Sequence, residues 1–227
     1  MNILQVIPEL DAGGAERTTI EIAEAVDKAG GQCWVASEGG RLVPELKKHA
    51  GRFITFRAKS KNPWVMFSNV YHLISIIIRN KIQIVHARSR APAWSALIAA
   101  RLTRTAFVTT YHGTYKAQSA LKRKYNAIMA SGDIVIANSR FIGNHVLGQH
   151  RIARQRLRII PRGIDCVAFD PVRISIQRRD IIRKKWGLNE DDTVILLPGR
   201  LTEWKGQDFF LDVMANFGNN PNLNYAT

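Results

Sequence analysis

Five short segments of this 227-residue chain carry residue types suited to holding phosphate groups and substrate hydroxyls. Pro198-Gly199-Arg200-Leu201-Thr202-Glu203-Trp204-Lys205-Gly206 places two fixed cations around the start of a helical pattern. Negative charge developing on a departing diphosphate would be met there by Arg200 and Lys205, with the dipole of the helix amino terminus adding to them. Gly13-Gly14-Ala15-Glu16 follows an apolar run. Its glycines permit close backbone approach and its free amides can face a phosphate, although a tight turn into a helix explains the same pair. Tyr111-His112-Gly113-Thr114 sets an imidazole at the end of another apolar run, where it could bond a substrate hydroxyl or stabilise charge. In His86-Ala87-Arg88-Ser89-Arg90 the guanidiniums of Arg88 and Arg90 fit phosphate or carboxylate in a bidentate fork, or else are two solvated loop charges. Asn138 offers an amide to the same region, while Ser139 reads as a helix cap.

These segments can act together only if the fold collects them. Short β-rich runs at Asn2–Pro8, Gln32–Ser37, Arg52–Phe56, Ile82–His86, Ala106–Tyr111, Asp133–Asn138 and Leu157–Ile160 alternate with helical patterns. The helices expected are Ala15–Ala29, Trp64–Arg79, Pro92–Thr103, Tyr115–Ser131 and Ser139–His150. Such alternation predicts an α/β fold: a doubly wound, Rossmann-like parallel sheet with helices on both faces and ligands at the carboxyl ends of its strands. Residues 1–160 are expected to form this domain. Residues 161–192, turn-rich and then a basic helix over Ile174–Trp186, read as a linker. Thr193–Leu197 restarts the strand signal and Gly206–Phe217 the helical one, so residues 193–227 read as the shortened start of a second Rossmann-like domain. The loop after the first strand lacks the G-x-G-x-x-G spacing, which leaves a nicotinamide-binding reading little support despite Glu38 at the end of the second strand.

Composition narrows the partners. Lys and Arg number 33 against 18 Asp and Glu, a formal charge of +15, which favours a polyanionic surface or expresses scattered solubilising charge. Lys122-Arg123-Lys124 beside apolar helix faces points to an anionic membrane surface, and no helix-turn-helix, RNP-like or zinc pattern points to nucleic acid. The two cysteines, Cys33 and Cys166, form no disulfide framework or metal spacing. No signal peptide or transmembrane run is legible, so a cytoplasmic protein is expected, peripheral at the inner membrane face.

Taken jointly, Gly13-Gly14-Ala15-Glu16-Arg17, His112-Gly113-Thr114, Asn138-Ser139, Ile160-Pro161-Arg162-Gly163-Ile164-Asp165 and Gly199-Arg200 through Lys205-Gly206 resemble the retaining glycosyltransferases of family 4. The resemblance implies the GT-B fold, a nucleotide-activated sugar such as a UDP- or GDP-sugar as donor, no cofactor and no obligatory metal. It places Gly13 and Gly14 near the donor diphosphate, His112 near the transferred sugar as the catalytic-site residue, and Arg200 with Lys205 on the diphosphate. Arg88, Arg90 and Asn138 are read as contacts to a glycan or lipid-linked, lipopolysaccharide-type acceptor. The family's later paired-glutamate segment and closing helix find no counterpart in this sequence, so the chain is expected to bind donor feebly and to transfer little; a non-catalytic acceptor- or membrane-binding remnant is the alternative.

Overall fold

The computed structural model describes residues 1–60, 62–115, 119–199 and 201–218. They form two compact units, 1–163 and 164 onward.

The first unit is built on seven parallel strands: β1 (Asn2–Val6), β2 (Gln32–Ser37), β3 (Arg52–Thr55), β4 (Ile84–Ala87), β5 (Ala106–Tyr111), β6 (Ile134–Ala137) and β7 (Leu157–Ile159), in spatial order β3-β2-β1-β4-β5-β6-β7. The chain therefore winds outward in one direction from β1 to β3, then returns to β4 and winds the other way. Between β1 and β4 the loops at the carboxyl edge part company, and that is where a doubly wound sheet opens a crevice.

Alternation of side chains sorts the core into two layers. Leu4, Val6, Trp34, Ala36, Val85, Ala87, Phe107 and Val135 face α3 (Pro63–Arg79), α4 (Arg90–Leu102), the 3-10 turn Ala127–Ala130 and α6 (Arg140–Gln149). Ile3, Ile7, Cys33 and Val35 face α1 (Gly14–Lys28) and α2 (Val43–Lys48). Burial of each such aliphatic side chain stabilises by about 1.5–3 kcal/mol. α4 buries Ala93, Ala96, Ala99 and Ala100, and these small residues let it lie close to α3 and the sheet.

α1 to α4 all stop in the same way, on a left-handed residue whose successor bonds back to the helix (Gly31, Gly51, Ile82 and Thr105 donate to Val26, Leu46, Ile77 and Ala100). In α1 that residue is Gly30; in the others it is Ala50, Lys81 and Arg104, with φ of 57°, 50° and 54°. Two helices differ from expectation. α2 is a six-residue helix with proline in its first turn, too short for a periodicity to show. The helix expected over Tyr115–Ser131 is α5 (Ala120–Asn126), begun by the Ser119 side chain capping Lys122 N at 3.2 Å, and then the tighter turn Ala127–Ala130.

The second unit holds α7 (Ile176–Lys185), capped by Ser175, and α8 (Gln207–Gly218). Thr193–Leu197, expected as a strand, joins no ladder among the described residues. A parallel strand needs neighbours to take its amides and cover both its faces. Here Val194, Ile195, Leu196 and Leu197 are 40–62% exposed.

Candidate functional site

The centre of the sheet is crossed by a polar row. Gln5 interrupts the apolar run of β1 and is fully buried. Its amide nitrogen donates to Thr19 O at 2.8 Å and to Cys33 Sγ at 3.3 Å, and its Oε1 accepts from Arg88 Nη1 at 3.1 Å. One strand over, His86 of β4 lies opposite Gln5 and shares a 2.7 Å hydrogen bond with Thr110 Oγ1 of β5. Burial, reinforced by the charge of Arg88, holds His86 well below the usual imidazole range, so it is neutral.

Arg88 directly follows β4, and its backbone amide donates to Val6 O at 3.0 Å, which continues the β1–β4 ladder by one residue. Its side chain is 2% exposed, yet Nε and Nη2 have no partner and no carboxylate forms an ion pair with it among the described residues. Desolvation, then repulsion from Arg162, lowers its pKa to about 10, which still leaves it charged near neutrality. A buried charge without a counter-charge costs several kcal/mol, about what an incoming anion would restore.

His112, one residue past β5, completes the arrangement. Arg162 Nη2 lies 2.9 Å from His112 Nδ1. A guanidinium only donates, so Nδ1 is the acceptor and the ring proton resides on Nε2. That Nε2–H is buried and has no partner among the described residues. Burial, then Arg88 and Arg162, pushes the imidazole down to about 3. The ring is thus a fixed neutral donor and does not become a cation in the ordinary pH range. Asn138 Nδ2 donates to His112 O at 3.3 Å and steadies the loop. Ser139 accepts from Ile142 N at 3.2 Å, the cap read from the sequence.

Gly14 opens α1 beneath the Arg162 guanidinium, which occupies the place a β-carbon would take. Gly13 lacks room in the same sense, its missing β-carbon meeting the Glu16 carboxylate. Gly14, Arg88, His112 and Arg162 are therefore gathered beside the crevice between β1 and β4: two cations, one neutral imidazole donor and the amides of a 15-residue helix start. The arrangement can hold a phosphate and orient a hydroxyl beside it.

Arg90 does not join this group. Its Nη1 donates to Asn126 Oδ1 at 2.7 Å and its guanidinium lies 4.3 Å over the Tyr115 ring. Arg88 and Arg90, paired in the sequence reading, are thus parted by the structure. In the second unit Lys205 closes a 3-10 turn just before left-handed Gly206 and the start of α8, its stem alongside Gly199. Arg200 lies outside the described residues. Sequence reasoning gave no role to Gln5, His86, Thr110 or Arg162. A glutamine inside an otherwise apolar strand was the one available signal; Arg162 stood in a recognised turn without a partner assigned.

Among the described residues no three His, Cys, Asp or Glu side chains converge on a point, and no helix is long and apolar enough to cross a membrane. No match is found among curated protein sequences. Among solved structures the chain is similar to a glycosyltransferase from Rickettsia africae ESF-5, with 36% identity and a TM-score of 0.84 over 96% of this chain and 58% of that one. It is also similar in fold to Anabaena Alr3699/HepE, solved in complex with UDP and glucose, at 20% identity and a TM-score of 0.79 over 95% of this chain and 58% of that one. WaaG, a glycosyltransferase involved in lipopolysaccharide biosynthesis, matches at 17% identity and a TM-score of 0.70 over 94% of this chain and 59% of that one. The chain thus spans under two thirds of the length of these proteins. Their architecture is the α/β GT-B type, and the chain shares it, with a seven-stranded, Rossmann-like parallel sheet. The sequence profile of Glycosyltransferase Family 4 matches residues 12–167, well over half of the chain, and the chain belongs to that family.

Proposed function

We propose that this chain serves a glycosyltransferase that moves a sugar from a nucleotide-activated donor to a glycan or lipid-linked acceptor. In that reaction the bond between the anomeric carbon and the diphosphate oxygen breaks, a bond to an acceptor hydroxyl oxygen forms, and the hydroxyl proton leaves with the diphosphate. One observation carries the reading: Arg88 and Arg162 place two positive charges at the crevice, neither of them in an ion pair with a carboxylate among the described residues, beside the bare backbone of Gly14 and the Nε2–H of His112. Such a group meets the charge that appears on a leaving diphosphate, and His112 donates to a hydroxyl of the transferred sugar. Gly13 shapes the loop around the diphosphate, and Arg200 and Lys205 add charge from the second unit. Asn138 keeps His112 in place, and Arg90 lines the acceptor side.

In this reading residues 1–160 are the acceptor-side domain, 161–192 the linker and 193–227 the start of the nucleotide-sugar-binding domain. The donor is a UDP- or GDP-sugar; the UDP and glucose held by the Anabaena protein and the lipopolysaccharide role of WaaG support that choice and a lipopolysaccharide-type acceptor. The net charge of +15 supports work at an anionic membrane surface on the cytoplasmic side.

Calorimetric titration of UDP-glucose and GDP-mannose into the 227-residue protein at low salt tests the claim. Saturable binding that weakens about tenfold or more in Arg162→Ala is expected, since a charge-assisted contact is worth roughly 1.5–3 kcal/mol. Absence of binding at millimolar donor, or an affinity indifferent to Arg162, would overturn it.

A further inference from the structure

The outer side of α3 carries an apolar stripe. Trp64, Phe67, Tyr71 and Ile78 recur on it at helical spacing; Trp64 is 82% exposed and the other three are each more than half exposed. The Phe67 and Tyr71 rings meet edge to face with centroids 4.9 Å apart. On the opposite side of the same helix Val70, Leu73, Ile76 and Ile77 are buried in the larger core. α4 widens the patch. Its Ser95 Oγ donates to Met66 O at 3.0 Å, which holds it beside α3, and Ile98 and Leu102, further along on the Ser95 side of α4, are exposed as well.

The charge around this patch has one sign. Neither α3 nor α4 contains an acidic residue, and the sequence has none anywhere between Glu45 and Asp133, a stretch in which lysine and arginine recur throughout. Exposed Arg79 closes α3. At the other end of the helix a cavity of about 530 Å³ opens beside Trp64, lined by exposed Arg57, Ser68 and His72 and, among the described residues, by no carboxylate. Asn69 Nδ2 donates to Arg57 O at 2.9 Å and ties that segment to the helix. A contiguous exposed apolar patch marks a place of interaction. A second copy of a chain at +15 would bring like charge against it, whereas a bilayer with anionic headgroups offers both an apolar interior and the opposite charge.

We propose that this face docks on an anionic bilayer, with Trp64, Phe67, Tyr71 and Ile78 entering among the upper acyl chains and Arg57 and Arg79 meeting lipid phosphates. The proposal rests on the anionic membrane partner given above, and adds which face meets it and that apolar side chains go in. α3 cannot leave the core that holds Val70, Leu73, Ile76 and Ile77, so it lies along the bilayer and does not cross it. Tryptophan and tyrosine suit that depth, since each joins an apolar ring to a polar edge that stays at the headgroups. Arginine stems rest on apolar surface while the guanidiniums reach up to phosphate. Charge draws the protein to the surface and the inserted rings hold it there, so neutral vesicles, which offer only the second attraction, retain little.

Sedimentation of the 227-residue protein with vesicles of phosphatidylglycerol in phosphatidylcholine tests the face. Trp64→Gln should weaken binding about tenfold, because a large apolar side chain is lost from the bilayer, and should leave urea unfolding unchanged, because the side chain packs on little else. Brominated acyl chains should quench tryptophan emission in the wild type. Trp64→Phe should keep the affinity close to wild type and lose that quenching. Arg57→Gln with Arg79→Gln should weaken binding more than Lys184→Gln with Lys185→Gln, which removes equal charge from the second unit. UDP-glucose affinity should be the same in Trp64→Gln as in the wild type, which separates this test from that of the transferase reading. Vesicle binding indifferent to Trp64→Gln, no bromolipid quenching in the wild type, or equal effects of the two charge pairs would overturn the face while the membrane partner stands. No binding to anionic vesicles would overturn both. A wild-type dimer in sedimentation equilibrium that Trp64→Gln dissociates would also overturn it, by giving the patch to a second copy.

Discussion

Acid should loosen the first unit well before its carboxylates titrate. His86 and His112 are both held neutral in the folded protein, His112 down to about 3 against an ordinary 6.5. Between those limits the unfolded chain binds a proton at His112 and the folded chain does not, and lowered His86 acts in the same sense, so stability falls as pH falls through the unfolded value. His112 contributes a slope of about 1.4 kcal/mol per pH unit, or about 2 kcal/mol from about pH 6.5 to about pH 5, and His86 adds to it with the same sign. Domains are stable by roughly 5–15 kcal/mol, so this is a large share of the whole. Half-buried His150 is lowered as well and adds a smaller amount with the same sign. Asp133, whose carboxyl is held down first by its hydrogen bond from Arg101, loses its contribution only at more acid pH and does not mask the effect. Urea unfolding at stepped pH, followed through the emission of Trp34, which is 5% exposed, measures the slope. His112→Gln should lower it by about 1.4 kcal/mol per pH unit. Constant stability between about pH 7 and about pH 5, or a wild-type slope in the variant, would refute the reasoning.

The cradle itself can be probed from its floor. Gly14→Ala puts a methyl where the Arg162 guanidinium lies, the far end of a flexible side chain, so stability should hold within about 0.5 kcal/mol while calorimetric nucleotide affinity drops about tenfold. Arg162→Ala removes a cation that lowers His112, so the imidazole titration followed by nitrogen-15 NMR should move upward. Arg90→Ala loses the contact over Tyr115 and the bond to Asn126, and urea unfolding should show a loss of about 1–3 kcal/mol with nucleotide affinity unaltered. Sedimentation with vesicles should show binding to anionic but not neutral lipid, weakened by salt because the net charge acts through screened electrostatics.

Much of the fold was legible because its strands are short β-rich runs between turn residues. Gln32–Ser37 and Ala106–Tyr111 fall on the residues read from the sequence alone. The limits of that reading show at Thr193–Leu197, where the same kind of apolar run makes no strand, because a strand is a property of its neighbours as much as of itself. At the site, the rule that loops after parallel strands gather at one edge was enough to bring Gly14, Arg88 and His112 together. It could not show that Arg88 and Arg90, two residues apart where a strand gives way to a helix, turn to opposite sides. Nor could it reveal Arg162, whose reach to His112 spans 50 positions and depends on the path of a turn-rich loop.

The left-handed residues that end α2, α3 and α4 have a consequence for how this protein could be hardened. Ala50, Lys81 and Arg104 all precede strands, at the edge of the sheet opposite the crevice, and a left-handed backbone costs an L-residue about 1–2 kcal/mol. Glycine, already used in that role by α1, would relieve the strain, most directly at Ala50. At Lys81 and Arg104 the loss of a cation beneficial to a helix end offsets part of the gain. Proteins commonly trade stability against activity because the strained places are the working ones. Here the correctable strain and the working residues lie at opposite ends of the same strands, so sturdiness and chemistry can be tuned without negotiating with each other.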